Sequence, residues 1–204
     1  AVNLPVAIAA PDGWMVFWTF NADRGVDLGS IWYALSLTGF EVKNVSLIVA
    51  AVMVIGTALI CALLLLAPRR PRLAQGVFLV VVLFCLVNKV YSPQYALWLL
   101  PLLVLANPRI ADHVLFTLSE LFYYAAIWYF LGGSLNSGDG QPRLYWTAVF
   151  VRSGVQLWLA GRVAWDMFHP HSDPIRRGVA DDPDGGVLDH APDAPWLARL
   201  VQRA

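Results

Sequence analysis

Residues 88–95, Asn-Lys-Val-Tyr-Ser-Pro-Gln-Tyr, form a polar segment between two apolar stretches, 77–87 and 96–106. This polar segment offers an ammonium group, two amides and three hydroxyl groups. Pro93 can begin the helix that follows, because the N–H that proline lacks would have no partner in a first helical turn. The free N–H groups of that turn, with Lys89 beside them, would suit a phosphate or pyrophosphate. The residues predicted to bind this anion are Asn88, Lys89, Ser92, Gln94 and Tyr95.

A simpler interpretation of the polar segment is a turn at a membrane surface. Burying the Lys89 ammonium in hydrocarbon would cost roughly 2.5–3.5 kcal/mol, so the segment must lie at a bilayer boundary or in a hydrated cavity. At a boundary, Lys89 would extend towards the surface and the tyrosines would anchor the turn without any ligand. Both interpretations are compatible with the sequence.

Two charged residues lie inside apolar stretches. Glu120 is midway along residues 110–131, and Arg152 is near the outer end of residues 144–165. At about 1.5 Å per residue the two depths differ by roughly 4–5 Å, so antiparallel neighbours would bring the side chains together. An unpaired charge in a membrane is costly, and we therefore expect a Glu120–Arg152 ion pair with Gln156 as a further partner. The pair would either staple two helices or contact a substrate.

The elements that carry these groups follow from hydropathy. Of the 204 residues, 58% are hydrophobic and only 14% are charged, against about 25% charged residues in soluble domains. The apolar residues cluster into runs of membrane-spanning or nearly spanning length. We therefore predict an all-α fold, a polytopic membrane helical bundle occupying residues 1–166. The predicted spans are 44–67, 73–91, 92–106, 110–131 and 144–165.

The two ends of the chain are predicted to differ from these spans. Residues 1–10 are apolar but too short to cross a bilayer, so they would be the end of an earlier helix or an interfacial segment. In the first case the chain would be the C-terminal part of a longer protein, and the N-terminal remainder would be its partner. Residues 167–204 are rich in Pro, Gly and Asp and are predicted to form a disordered cytoplasmic tail.

Orientation follows from the arginines of the short loops. The arginine loop, Pro68–Arg72, holds three arginines, which favours a cytoplasmic position for this loop and for the C-terminal tail. The polar segment, the Gly132–Arg143 connection and residues 11–43 then lie on the extracytoplasmic side. We expect a multi-pass protein of the cell membrane.

The extracytoplasmic loop 11–43 begins with Trp14, Phe17, Trp18 and Phe20. Such spacing is typical of a short interfacial helix whose aromatic rings anchor it. Residues 24–30, which we name the glycine loop, follow with Arg24 and Asp27. A second interpretation makes Trp14, Arg24 and Asp27 the rim of a cavity for a lipid substrate.

Other functional classes find little support. The formal net charge is zero, which gives no indication of nucleic-acid binding. Cys61 and Cys85 both lie in apolar runs and are expected to pack as small apolar residues. No spacing of ligand residues predicts a metal site, and no cofactor is expected.

The polar segment and the residues after it, Asn88-Lys-Val-Tyr-Ser-Pro-Gln-Tyr-Ala-Leu-Trp98, resemble a motif of polyprenol-phosphate-mannose-dependent mannosyltransferases. These multi-span enzymes belong to the GT-C class, notably the actinobacterial glycosyltransferase family 87. The stretch Arg24-Gly-x-Asp-x-Gly-Ser-x-Trp-Tyr33 also resembles a loop of the actinobacterial members. Elsewhere the resemblance is one of hydrophobic layout.

This resemblance implies transfer of a hexose, mannose in the family, from a polyprenyl phosphate carrier to a lipid or glycan acceptor outside the cell. The polar segment would bind the donor phosphate, with Lys89 paired to it. The family's general base is an Asp in the first extracytoplasmic loop, which would precede this chain, so Asp27 does not inherit that role. We expect the chain alone to be inactive. The alternatives are a transporter or flippase half, with Glu120 and Arg152 as coupling charges, and a non-catalytic membrane scaffold.

Overall fold

A computed structural model describes residues 3–135, 142–177 and 181–193 of the chain. These residues form eight α-helices and two short 3-10 helices, and they contain no β-strand. The all-α prediction is therefore confirmed for the described part of the chain. The helices are α1 (Asn3–Ala9), α2 (Pro11–Asp23), α3 (Ile31–Leu37), α4 (Val45–Leu66), α5 (Leu73–Val87), α6 (Ala96–Ala106), α7 (Ile110–Leu131) and α8 (Arg143–Phe168).

Helix α5 lies between α4, α6 and α8, and α7 packs along α8 and against α6. The short helix α3 rests on α8. Apolar side chains from these helices form one core, represented by Phe78, Leu103, Phe116, Tyr145 and Leu159. Because α5 is central, the core fixes the position of its last residue, and with it the start of the polar segment.

Helix α4 is apolar along its length and yet faces outward. Its most apolar window has a mean hydropathy of 2.9, and only 6% of that window is buried. In α7 the corresponding values are 1.4 and 33%. Both helices are long and apolar enough to cross a membrane by length and composition.

Helix ends match the sequence-based boundaries best in the long apolar helices. Helix α4 begins and ends within one residue of the range 44–67, and α7 spans the range 110–131. Helix α5 stops at Val87 and does not reach residue 91, because Asn88 turns to an extended conformation with φ −61° and ψ 148°. A 3-10 turn at Pro93–Tyr95 precedes α6, so Pro93 does begin a helical segment as expected.

Helices α1 and α2 stand apart from the core. Ala10 separates them with φ −145°, and neither helix contains a buried residue. Residues 1–2 lie outside the described part of the chain. Helix α2 is linked to the bundle through its C-terminal end, where Lys89 contacts its last carbonyl groups.

The tail predicted to be disordered differs from that expectation in its described parts. Helix α8 continues to Phe168, and residues 169–177 and 181–193 form turns and a short 3-10 helix. Residues 178–180 and 194–204 lie outside the described part, as do residues 136–141 of the predicted Gly132–Arg143 connection.

Buried ion pairs explain why the tail is folded onto the bundle. Asp173 is fully buried, and its carboxylate accepts a hydrogen bond of 2.8 Å from Nε of Arg72. Arg72 is also fully buried, and it donates to the C=O groups of Leu105 and Ala106 at 2.7 Å, which closes the C-terminal end of α6. Three of the tail aspartates, Asp173, Asp181 and Asp182, are therefore counter-ions of the arginine loop.

Candidate functional site

Two backbone hydrogen bonds join the polar segment to the glycine loop. The N–H of Asp27 donates to the C=O of Lys89 over 2.8 Å, and the N–H of Tyr91 donates to the C=O of Leu28 over 3.1 Å. The two stretches therefore form one structure at the same end of the bundle, although about sixty residues separate them in the sequence.

Lys89 is largely buried, and its ammonium group closes the C-terminal end of α2. Nζ donates to the C=O groups of Asn21 at 2.9 Å, Ala22 at 3.2 Å and Arg24, and to the hydroxyl of Ser46 at 3.2 Å. The last carbonyls of a helix lack partners within it and carry its negative dipole end, so a cation is favourable there. A direct phosphate contact by Lys89 does not fit this arrangement, because its protons are already directed at α2.

Gly29 is the point at which the glycine loop meets the core. Its N–H donates to the hydroxyl of Tyr145 over 2.8 Å, and its C=O accepts from Nη2 of Arg152 over 2.8 Å. Its φ is +75°, and a Cβ atom here would overlap the hydroxyl of Tyr123 and the C=O of Tyr91. Only glycine satisfies both the backbone angle and the space.

Glu120 lies in a compact polar cluster beneath the polar segment. Its carboxylate accepts hydrogen bonds from the Tyr91 hydroxyl at 3.1 and 3.2 Å and from Nε2 of Gln156 at 2.7 Å. Nε2 of Gln156 also donates to the Tyr91 hydroxyl at 3.0 Å. The partnership of Gln156 with Glu120 thus follows the sequence-based expectation.

Arg152 joins the same cluster without contacting Glu120 directly. Its guanidinium carbon lies 3.6 Å from the ring centre of Tyr91 and 4.4 Å from that of Tyr123. The described contacts include no ion pair between Arg152 and Glu120. The Tyr91 side chain contacts both of them, with its hydroxyl bound to Glu120 and its ring against Arg152. The predicted pair is therefore replaced by a carboxylate, a tyrosine and a guanidinium in contact, with the π face of the ring stabilising the cation.

A cleft of about 600 Å³ opens beside the polar segment, between the start of α6 and α7. Ser92 and Gln94 supply its polar groups, and Gln94 is exposed. The remaining lining is mostly apolar or aromatic. It comprises Pro93, Ala96, Leu97, Tyr124, Ile127, Trp128 and Leu131.

Asn88 and Tyr95, the other predicted phosphate ligands, contact neighbouring parts of the bundle. Asn88 follows the last residue of α5, and its N–H donates to the C=O of Phe84 over 3.0 Å. The ring of Tyr95 stacks on Trp98, with ring centres 4.4 Å apart and planes inclined by 18°. The Tyr95 ring also meets Tyr91 edge to face at 5.5 Å, which fixes the start of α6 against the polar segment.

The three residues predicted to form a cavity rim do not lie together. Arg24 and Asp27 form an exposed ion pair of 2.9 Å on the glycine loop, whereas Trp14 lies on α2 and contacts Trp18. A hydrogen bond from the N–H of Leu28, together with the Arg24 guanidinium, holds the pKa of Asp27 below its ordinary value. A carboxylate with a lowered pKa is a weak base.

Sequence reasoning missed two tyrosines that hold the site together. The hydroxyl of Tyr123 donates to the C=O of Tyr91 over 3.0 Å, and the hydroxyl of Tyr145 binds Gly29. Both side chains are fully buried. The signal was present, since a tyrosine inside an apolar helix needs a partner for its hydroxyl, but the partners are loop atoms that no helical spacing predicts.

A cluster of possible metal ligands lies at the opposite end. Ligand atoms of Asp181, Asp189 and His190 lie within 4.8 Å of one another. Asp181 already accepts from Arg69 at 2.9 Å and from Arg70 at 3.0 Å. Its carboxylate is therefore neutralised by arginines, and we assign the cluster to the folding of the tail.

Comparison of the chain with protein-family models, with curated proteins and with solved structures finds no match. The function must therefore be inferred from the residues themselves. Two features bear on it: the joining of the polar segment to the glycine loop, and the cleft that opens beside them.

Proposed function

We propose that the chain is a membrane-embedded helical bundle. The main support is α4, which combines a mean hydropathy of 2.9 with burial of only 6% of its apolar window. A core helix of a soluble protein with such hydropathy would be buried, because exposing that much apolar surface to water is unfavourable. Lipid is the solvent that fits this surface.

For the orientation we propose that the arginine loop faces the cytoplasm and the polar segment faces outward. The arginine loop and Arg109 belong to one end of the bundle, since Arg72 binds the end of α6 and Arg109 binds Asp166 near the end of α8. Short loops rich in arginine favour the cytoplasmic side.

We further propose that the chain contributes the donor end of a GT-C glycosyltransferase, which moves a hexose, mannose by resemblance, from a polyprenyl phosphate to a lipid or glycan acceptor. The observation that carries this proposal is the pairing of the polar segment with the glycine loop. These are the two stretches whose sequences resemble the mannosyltransferases, and a shared site requires them to be neighbours.

The cleft beside the polar segment suits an amphipathic donor. Ser92 and Gln94 offer hydrogen-bond donors for a phosphate, and the aromatic surface of Tyr124 and Trp128 continues towards the membrane interior. A polyprenyl phosphate has this same division between a charged head and an apolar chain. Asn88, Lys89 and Tyr95 then act as positioning residues, which hold the segment in the shape that presents Ser92 and Gln94.

The test is a transfer assay in membranes that contain the product of the complete gene. The donor is polyprenyl phosphate carrying radiolabelled mannose, and the variant is Ser92→Ala combined with Gln94→Ala. Loss of hydrogen bonds to a charged group should lower the transfer rate by about tenfold or more. Ser134→Ala, an exposed change at the same end, is the matched control and should keep full transfer.

Unchanged transfer in the double variant would contradict the assignment of the cleft as the donor site. Absence of transfer from any polyprenyl phosphate hexose by the unaltered protein would contradict the enzyme assignment itself. The transporter alternative instead predicts movement of the lipid across the bilayer without a new glycosidic bond.

A further inference from the structure

A second cleft, of about 730 Å³, lies at the arginine-loop end, between that loop and the end of α8. We name it the arginine cleft. Its lining includes three arginines and two histidines, and the described residues that line it include no carboxylate. The charged and ionisable residues are Arg69, Arg176, Arg177, His169 and His171.

The nearby carboxylate of Asp181 neutralises this cluster only in part. One oxygen of Asp181 serves two of the arginines, Arg69 at 2.9 Å and Arg176 at 3.3 Å. Arg177 forms no ion pair among the described residues, and its only hydrogen bond runs from Nε to the C=O of His171 at 3.4 Å. The Arg69 side chain is about half exposed and Arg177 is exposed, so guanidinium N–H groups of both can reach a ligand.

Aromatic side chains border the arginine cleft where it meets the apolar surface of α8. Trp165 is 60% exposed, and the ring of His169 stacks on it with centres 3.8 Å apart. Tryptophan and arginine together at a helix end are typical of the headgroup level of a membrane. The cleft therefore combines a cationic side and an interfacial side.

A groove on α8 borders the arginine cleft at Trp165. The groove has a volume of about 610 Å³ and shares Trp165 with the cleft. Its floor includes Gly154 and Gly161, beside which no atom lies within 4 Å of the place a Cβ would take. Exposed Leu157 and Trp158 supply its apolar side chains, and Arg162, which pairs with Asp112 at 3.3 Å, also lines it.

We propose that this surface binds an anionic phospholipid, with its phosphate headgroup in the arginine cleft and an acyl chain in the groove on α8. Neither the cation cluster nor the groove alone identifies a lipid. Their common border at Trp165 favours a lipid, because a soluble phosphate compound would have no use for the groove. The proposal needs the bundle to lie in a membrane, but it does not depend on the transfer reaction.

The test uses native mass spectrometry of the detergent-solubilised full chain. The protein is titrated with phosphatidylglycerol or with phosphatidylcholine of identical acyl chains. We expect preferential retention of phosphatidylglycerol, and Arg69→Gln combined with Arg177→Gln should lower that preference by about fivefold or more. The matched control is Arg24→Gln combined with Lys43→Gln, which removes two exposed charges at the opposite end and should leave the preference unchanged.

A second variant tests the groove and keeps the arginines. Gly161→Leu fills open space on an exposed helical face and replaces glycine by a better helix former, so it should fold. We expect it to reduce the retention of both lipids. This result also decides the question if the arginine variant fails to fold.

Equal retention of the two lipids by the unaltered protein would overturn the proposal. Full displacement of phosphatidylglycerol by an equal concentration of glycerol phosphate would also overturn it, since the site would then take a soluble phosphate. Retention by Gly161→Leu equal to that of the unaltered protein would remove the acyl-chain part and with it the argument for a lipid.

Discussion

Gly29 connects the glycine loop to two helices, α7 and α8, through its backbone atoms and its lack of a side chain. Its N–H and C=O are bound by Tyr145 and Arg152 of α8, while the hydroxyl of Tyr123 from α7 lies where a Cβ would be. The buried position and the left-handed backbone angle act together, so substitution here has two separable costs.

Gly29→Ala is therefore expected to destabilise the protein more than a change at an open glycine. Gly39 is the matched control, because its φ is +87° and no atom lies within 4 Å of its Cβ position. Gly39→Ala should cost about 1–2 kcal/mol through the backbone angle alone, and Gly29→Ala about 3 kcal/mol or more once the overlap is added. Thermal unfolding in detergent measures both, and equal losses would contradict the close packing around Gly29.

Glu120 and Arg152 show how a residue-scale prediction can be right in place and wrong in contact. The helical rise per residue predicted similar depths for the two residues, and both are buried in one cluster. The Tyr91 ring and hydroxyl fill the space between them, because the polar segment folds back over the helices. Helical spacing carries no information about such a loop.

A double-mutant cycle tests whether the two charges are still coupled through Tyr91. Glu120→Gln and Arg152→Met should each destabilise the protein, and together they should cost less than their sum by about 1 kcal/mol. Glu120→Gln combined with Lys43→Gln is the control pair and should be additive within about 0.5 kcal/mol. Additivity in the first pair as well would mean that Tyr91 isolates the charges.

At the scale of elements, hydropathy predicted where the helices lie but not where α5 ends. The ranges of α4 and α7 follow directly from long apolar runs, which need no distant partner. Helix α5 stops at Val87, since the backbone of Lys89 and Tyr91 binds the glycine loop and not the helix. An end that depends on a loop about sixty residues away cannot be read from local composition.

The end of α2 depends on a distant residue in the same way. No basic residue lies in the last turn of α2, and Lys89 supplies the cation from the polar segment. Since α2 has no buried residue, its C-terminal end is held against the bundle by this contact, by the chain connection and by a hydrogen bond of 3.4 Å from the Ser46 hydroxyl to the C=O of Ala22.

Lys89→Met should consequently free the end of α2 while leaving the core intact. Hydrogen exchange should show lost protection of the last turn of α2 and unchanged protection of α5, whose residues are packed in the core. Lys43→Met, at an exposed lysine, is the control and should change neither. If α2 keeps its protection but mannose transfer is lost, Lys89 is a phosphate ligand after all, and its contacts with α2 are exchanged on donor binding.

At the scale of the whole molecule, the two ends of the bundle differ in chemistry. One end holds the polar segment, the glycine loop and a single largely buried lysine. The other holds the arginine loop with its aspartate partners from the tail, including the fully buried pair of Arg72 and Asp173. Composition alone predicted a disordered tail, and only the fold reveals that Asp173, Asp181 and Asp182 meet arginines about a hundred residues earlier.

This asymmetry makes the orientation testable by labelling single cysteines. Ser134→Cys marks the polar-segment end and His171→Cys the arginine-loop end, and both positions are exposed. Cys61, which is exposed on α4, is first changed to Ser, whereas Cys85 is buried and can stay. In intact cells a membrane-impermeant maleimide should label Ser134→Cys, and it should label His171→Cys only after permeabilisation, because arginine-rich loops are retained in the cytoplasm.

The reverse pattern would invert the orientation and move the cleft at Ser92 and Gln94 to the cytoplasm, where an extracytoplasmic hexose transfer could not take place. Labelling of both positions in intact cells would show that α8 does not cross the membrane, and the bundle would then lie on one side of it.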